Sequence, residues 1–171
     1  GGGGGGGGGT SAPAAPTCVS GYSCSADLRS IIFTNSSCSR TATVCDSQHF
    51  CSHGQRACAA YQIAFSSFTG RRRDTNASVE MSGHLTALPK LVRRDTPTYL
   101  YWSVEHAASC SVSDGKTVLS TRLTSGTDGL ETPPLMNSTT YTLTCQANPG
   151  ATPTSITESQ TVHIIPVFEE Q

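Results

Sequence analysis

The sequence predicts an all-β, disulfide-bonded fold, and three observations predict it. Eight cysteines stand in 171 residues at irregular spacings with no C-x-x-C pair. That pattern reads as a disulfide framework made in an oxidising, extracellular compartment rather than as metal or redox motifs. Ser and Thr make up 46 of the 171 residues, which suits strands and turns and leaves little material for helices. Beyond residue 79, short segments alternate apolar and polar residues between turn signals about every 8–12 residues.

The rest of the composition sets limits on partners. Apolar residues are 36% of the chain and charged ones 13%, against roughly a quarter charged in an ordinary domain. A net charge of -1 gives no reason to expect nucleic acid or an acidic membrane surface as a partner. No apolar run approaches the ~20 residues of a membrane span. The chain starts at Gly1 with neither Met nor a signal peptide, and so reads as a processed product, a fragment or an incompletely identified start.

Residues 1–17, GGGGGGGGGTSAPAAPT, form an extended Gly/Pro/Ala tail that has no large apolar side chain and cannot fold alone. One reading is a flexible linker. The other is an extended chain held by a partner surface, because ordering each backbone unit costs about 1–2 kcal/mol. Bare glycine packs closely as polyglycine or polyproline II, or adds to a sheet edge. Gly1, Gly5, Gly9 and Thr10 are the candidate assembly residues on this second reading.

Residues 18–58 hold Cys18, Cys24, Cys38, Cys45, Cys51 and Cys58 around one apolar patch, Ile31, Ile32 and Phe33. So small a core cannot hold the segment, and bridges must supply what burial does not. The sequence does not choose among the pairings that six cysteines allow. Residues 59–78 read as a connection: one strand carrying Ile63, Phe65 and Phe68, then a polar loop at 70–76.

Residues 79–171 read as an immunoglobulin-like sandwich. Leu100, Trp102 and Val104 share one face of YLYWSV, and Cys110 and Val112 share one face of SCSVS. Asp114-Gly115 makes a hairpin turn, residues 118–123 return, and 125–129 turn again. Tyr141, Leu143 and Cys145 alternate in TYTLTC, Asn148-Pro149-Gly150 turns, and Val162 and Ile164 close the set before Pro166. Cys110 and Cys145 are expected to pair, since both face inward and this segment holds no other cysteine. In antibody domains the cysteine precedes the tryptophan by about a dozen residues; here Trp102 precedes Cys110 by eight. With Trp102 on the second strand, the bridge would staple two strands of one sheet.

The ordered motifs GYSC, GHL-x-A-x-P, YW-x-V, SCSVS, TTYTLTC and IIPVF-E carry a resemblance. Over about residues 18–170 the chain resembles the repeated modules of large secreted bacterial surface and appendage proteins, in which a cysteine-rich unit precedes an immunoglobulin-like domain. The resemblance implies a cell-surface or appendage setting and carries over no catalytic residue.

Cys45, His49, Cys51, His53 and Cys58 are zinc-ligand types, but their spacing matches no standard site, and disulfides are the expected fate of these cysteines. There is no G-x-S-x-G elbow, no H-E-x-x-H and no carboxylate pair singled out by the pattern, so neither catalysis nor a cofactor is expected. Arg71–Arg73 and Arg93-Arg94 read as solvated loops or as electrostatic contacts with a neighbouring subunit or an acidic polysaccharide. Asn35, Asn76 and Asn137 open N-x-S/T sequons and are glycosylation candidates. Tyr99 and Tyr101 alternate with core positions and form a candidate aromatic platform for sugars. Two expectations follow: a homopolymer of copies joined through the tail, or a monomeric module that binds surface glycans.

Overall fold

Short runs rich in Thr, Ser and β-branched residues, broken by Gly, Pro, Asn and Asp, leave no stretch with a sustained helical period. The computed structural model describes residues 1–3, 9, 12–15, 17–120 and 125–166. Every regular element among them is a strand, so the chain is all-β. It divides into two compact units, Gly1–Cys45 with Cys51–Cys58, and Asp46–Phe50 with Ala59–Gln171. The stretch 59–78, expected as a connector, belongs to the second unit.

In the first unit β1 (Gly21–Cys24), β2 (Ser30–Thr34) and β3 (Arg40–Val44) form an antiparallel sheet in sequence order. An Asx turn joins β2 to β3: the Asn35 side-chain oxygen accepts the N–H of Ser37 and of Ser39. The Cys38 N–H closes the turn on the Asn35 carbonyl at 3.0 Å, with Cys38 at a left-handed φ of 63°. Cys18–Cys38, Cys24–Cys51 and Cys45–Cys58 are the bridges. The fully buried residues described in this unit are Cys45 and Cys51, both half-cystines. Bridges here take the place of a core. β4 (His49–Ser52) and β5 (Ala57–Ala60) pair with each other as a two-stranded sheet.

The second unit begins with β6 (Ala64–Phe65), β7 (Phe68–Arg71) and β8 (Ser78–Met81), the last two an antiparallel hairpin. Sequence reading expected a single strand through Phe68 and a loop from residue 70. Instead the strand breaks at Ser66-Ser67, where the Ser66 N–H turns to the Ser103 carbonyl and the two hydroxyls meet at 2.8 Å. Gly70 and Arg71 stay in the ladder, opposite Val79 and Ser78.

Then come β9 (Thr86–Leu88), β10 (Leu91–Val92), β11 (Tyr99–Tyr101), β12 (Val104–Glu105), β13 (Ala107–Ser113), β14 (Val118–Ser120), β15 (Leu130–Glu131), β16 (Thr139–Ala147) and β17 (Ser155–Ile164). One sheet has the order β15-β11-β9, and a five-stranded sheet has the order β10-β17-β16-β13-β14. The chain changes sheets at Pro89, whose peptide bond with Leu88 is cis. β10 then runs parallel to β17, pairing at His163 and Ile164 only. Both sheets feed one core, with Ala87 and Leu100 from one, Val112, Leu143 and Val162 from the other, and Trp102 between.

Cys110 lies directly across from Cys145 on the neighbouring strands β13 and β16, Cα atoms 4.0 Å apart, and the two are bonded. The bridge therefore lies within one sheet. The predicted turns are present: Gly115, Gly129 and Gly150 take φ values of 87°, 80° and 87°, in the region that favours glycine.

One expectation fails clearly. Tyr101 is not part of an exposed platform; it is fully buried, as are its neighbours Leu100 and Trp102. The alternation stops because the segment before β8 covers the outer face, and the Tyr101 hydroxyl accepts the Arg73 N–H at 2.8 Å. Burial pushes that phenol's pKa up. Tyr99 stays half-buried, with the Arg73 guanidinium 5.5 Å above its ring.

Candidate functional site

Surfaces that carry a role without catalysis are edges, faces and grooves. One such edge lies along β17. Its residues 155–162 pair with β16 on one side, whereas on the other β10 covers only His163 and Ile164. The His163 and Ile165 N–H groups point to β10, donating to Lys90 and Val92 carbonyls. Because direction alternates along a strand, the backbone groups of Ser155, Thr157, Ser159 and Thr161 point to the same side, beyond the end of β10. This is a stretch about 20 Å long at the usual rise per residue with no ladder partner on that side, although β9 passes close to the strand. Two side chains guard it, the first being Gln160, whose amide donates to the Thr161 carbonyl at 3.0 Å. The second, Glu158, points inward, its carboxylate taking the Leu85 N–H at 3.1 Å and the His84 ring nitrogen at 2.9 Å.

The outer face of the same sheet is built from hydroxyls. Thr140 bonds Thr161, Thr142 bonds Ser159, and Thr144 bonds Thr157, at 2.8, 2.8 and 3.2 Å. Ser111 and Ser113 of β13 continue two of these rungs, opposite Thr144 and Thr142. No charged side chain stands on these rungs.

Two grooves, of about 380 and 360 Å³, flank the segment Met136–Ser138 at the end of the five-stranded sheet where β17 finishes. One opens toward the turn of Asp114 and Lys116 and is floored by Pro133, Pro134 and Tyr141. The other lies against Arg94, Ile165 and Pro166. The Asp114 carboxylate accepts the N–H of Thr117 and of Lys116, which hold it below the usual carboxylate range and fix the turn. The Arg94 guanidinium donates to the Met136 carbonyl.

The candidate residues fall as follows. Gly1 and Gly9 are exposed, with no atom within 4 Å of the place a side chain would start. Gly5 and Thr10 lie outside the described residues. Asn76 and Asn137 are exposed, while Asn35 is half-buried in its turn. Cys45, Cys51 and Cys58 are in disulfides and so offer zinc no thiolate; among the described residues no group of three metal-ligating side chains forms. Arg72 of the basic loop pairs with Asp74 and draws that carboxyl down. Sequence reading missed the grooves and the hydroxyl face. The face had a signal, the alternation of Thr and Ser through 140–144 and 155–161; the grooves had none, being made by loops.

Comparison of the chain with protein-family models, with curated proteins and with solved structures gave no match. No helix among the described residues is long and apolar enough to cross a membrane. The four disulfides mark a chain made for an oxidising environment.

Proposed function

We propose that the chain is a structural subunit of an extracellular filament or surface layer, assembled head to tail through its extended N-terminal segment. The observation that carries this reading is the unpaired edge of β17, where the main-chain groups of Ser155, Thr157 and Ser159 have no ladder partner. The tail is the donor that the chain itself offers. Its glycines bring no side chain, so their bonding is main-chain bonding, which is what an edge supplies. A contact of one copy's tail with another copy's edge is heterologous, does not close and propagates as a fibre.

Several features support the finer parts of the reading. An immunoglobulin-like sandwich fits the orders β9-β11-β15 and β10-β17-β16-β13-β14, with the first strand changing sheets and then running parallel to the last. The resemblance to secreted bacterial surface modules agrees with four bridges and a hydroxyl-rich exterior. Exposed Asn76 suits a surface glycan. The reading assigns no catalytic residue. Deleting residues 1–17 tests it. The truncated protein should keep its bridges and fold yet form no filaments under the electron microscope, and filaments from it, or none from the intact chain, would overturn the proposal.

The second reading is a monomeric adhesion or carbohydrate-binding module. The uncharged hydroxyl face favours it, since such a surface can exchange hydrogen bonds with sugars. The burial of Tyr101 weighs against it, because it removes half of the aromatic platform.

A further inference from the structure

The paired grooves beside Met136 are the strongest unassigned feature of the molecule. Each is within the size range of ligand pockets, which start at about 300 Å³. They share Met136, Asn137 and Ser138, which form the ridge between them. Two large apolar side chains are left in the open there, Met136 at 53% and Ile165 at 38% exposure. Proline rings, Met136 and Ile165 give walls of mixed character their apolar patches, while Lys116, Asn137 and Arg94 add hydrogen-bond donors.

We propose that these grooves receive the Pro13-Ala14-Ala15-Pro16 segment of a second copy's tail; the inference rests on the head-to-tail reading above and names its second contact. Three properties of the segment match. Pro-x-x-Pro favours polyproline II, where residues three apart return to one face about 9 Å along the axis. Two prolines so placed can straddle a ridge one chain wide, one in each groove. The segment is also rich in acceptors, because proline lacks an N–H and polyproline II leaves its carbonyls unbonded, and the rims supply donors. Finally, the tail is uncharged from Gly2 to Thr17, so it meets no opposing charge at Lys116 or Arg94.

The location agrees with the proposed edge contact. Pro166 lines the second groove at the end of β17, the strand whose edge is to receive the glycines. A tail with its glycines along 155–161 would pass over β10, which holds His163 and Ile164 on that side, through Thr10–Ala12 before its prolines reach the grooves. Glycines would add main-chain bonds, and the prolines would set register, which polyglycine cannot do alone. A glycan on Asn137 would occupy the ridge and exclude the tail.

Two full-length variants test this. Met136→Asp puts a charge on the ridge of the acceptor; Met136 is exposed, so the fold and the four bridges should survive. Pro13→Ala with Pro16→Ala disables the donor. Each variant alone should need at least a tenfold higher concentration than the intact protein to form filaments. Mixed in equal amounts, they should give discrete dimers and no filaments, since only one tail–groove pair in the mixture is intact. Light scattering and electron microscopy read both results. Filaments from Met136→Asp at the intact protein's concentration, or a mixture that remains monomeric, would overturn the groove assignment while leaving tail-driven assembly standing. An intact protein that never assembles would overturn both.

Discussion

The Gly126 N–H donates to the Trp102 carbonyl at 2.9 Å, and the same glycine lies flat against the Trp102 indole, where a β-carbon would overlap the ring. The largest core side chain is thus seated under a loop that must be bare at one position. Replacing Gly126 with Ala forces the indole or the loop to shift and should destabilise the unit by about 1–3 kcal/mol. Trp102→Ala leaves a cavity in the shared core and should cost about 3–5 kcal/mol. Urea unfolding followed by far-ultraviolet circular dichroism measures both. A neutral Gly126→Ala would mean that the loop does not pack on the indole. The indole N–H has no hydrogen-bond partner among the described residues, so Trp102→Phe, which removes that group but keeps an aromatic ring, should cost less than Trp102→Ala.

Replacing both Cys110 and Cys145 with Ala should lower stability by about 3–4 kcal/mol, from the chain entropy released over a 35-residue separation. The bridge spans neighbours that are already hydrogen-bonded through the β13–β16 ladder, so strand order should persist in the variant. Amide exchange in β13 and β16 checks this: protection should fall to the new global stability, with both strands still the slowest to exchange. A first unit that unfolds with Cys110 and Cys145 replaced would contradict the separate staples of the two units.

Four carboxylates anchor turns or loops and are held below their ordinary value of 3.8. Asp27 is lowered first by the Ser25 hydroxyl, Asp46 by His49, Asp74 by Arg72 and Asp114 by the Thr117 N–H. Each binds protons more weakly folded than unfolded, so its contribution is present above the unfolded value and lost as pH falls through the lower folded one. Stability to urea should stay level between about pH 5 and 7 and decline below about pH 4. Asp114→Asn keeps an acceptor oxygen without the titration and should make the decline shallower. An unchanged urea midpoint down to pH 2 would show that these turn anchors do not couple to folding.

Much of the second unit was legible because burial there follows strict alternation. Cys110 and Val112 in β13, and Tyr141, Leu143 and Cys145 in β16, are buried at every second residue, so the pairing of Cys110 with Cys145 could be read from the pattern. Tyr101 was misread because period-two reasoning assumes that one face of a strand meets water. Here an upstream segment covers that face through Arg73, and nothing local to YLYWSV reports a distant cover. In the first unit the pairings were hidden for a different reason. Its strands are mostly exposed, so no apolar pattern told which cysteines approach each other. The β17 edge was invisible for a third reason: an edge is defined by the early end of its neighbour, and β10 is only two residues long.

That edge gives a test that separates backbone pairing from any side-chain contact. Along β17 the N–H groups of odd-numbered residues point away from β16, as those of His163 and Ile165 do; those of even-numbered residues join the β16 ladder. Proline is tolerated in a sheet where its missing N–H would have faced outward, and is costly where a ladder bond is lost. Ser159→Pro should therefore leave the monomer within about 1 kcal/mol of the original stability, losing mainly the exposed hydroxyl contact with Thr142. It should nevertheless abolish filaments, because it removes a donor from the middle of the acceptor edge and presents a ring to the incoming strand. Glu158→Pro, one residue away, should cost about 1–3 kcal/mol by removing a β16–β17 ladder bond, and also loses the carboxylate that holds Leu85 and His84. Chemical unfolding of both variants, beside electron microscopy of Ser159→Pro, makes the comparison. Filaments from Ser159→Pro at wild-type yield would exclude strand addition at this edge, and a Ser159→Pro monomer as unstable as Glu158→Pro would mean that the alternation of donors along β17 is the reverse of that inferred from His163 and Ile165.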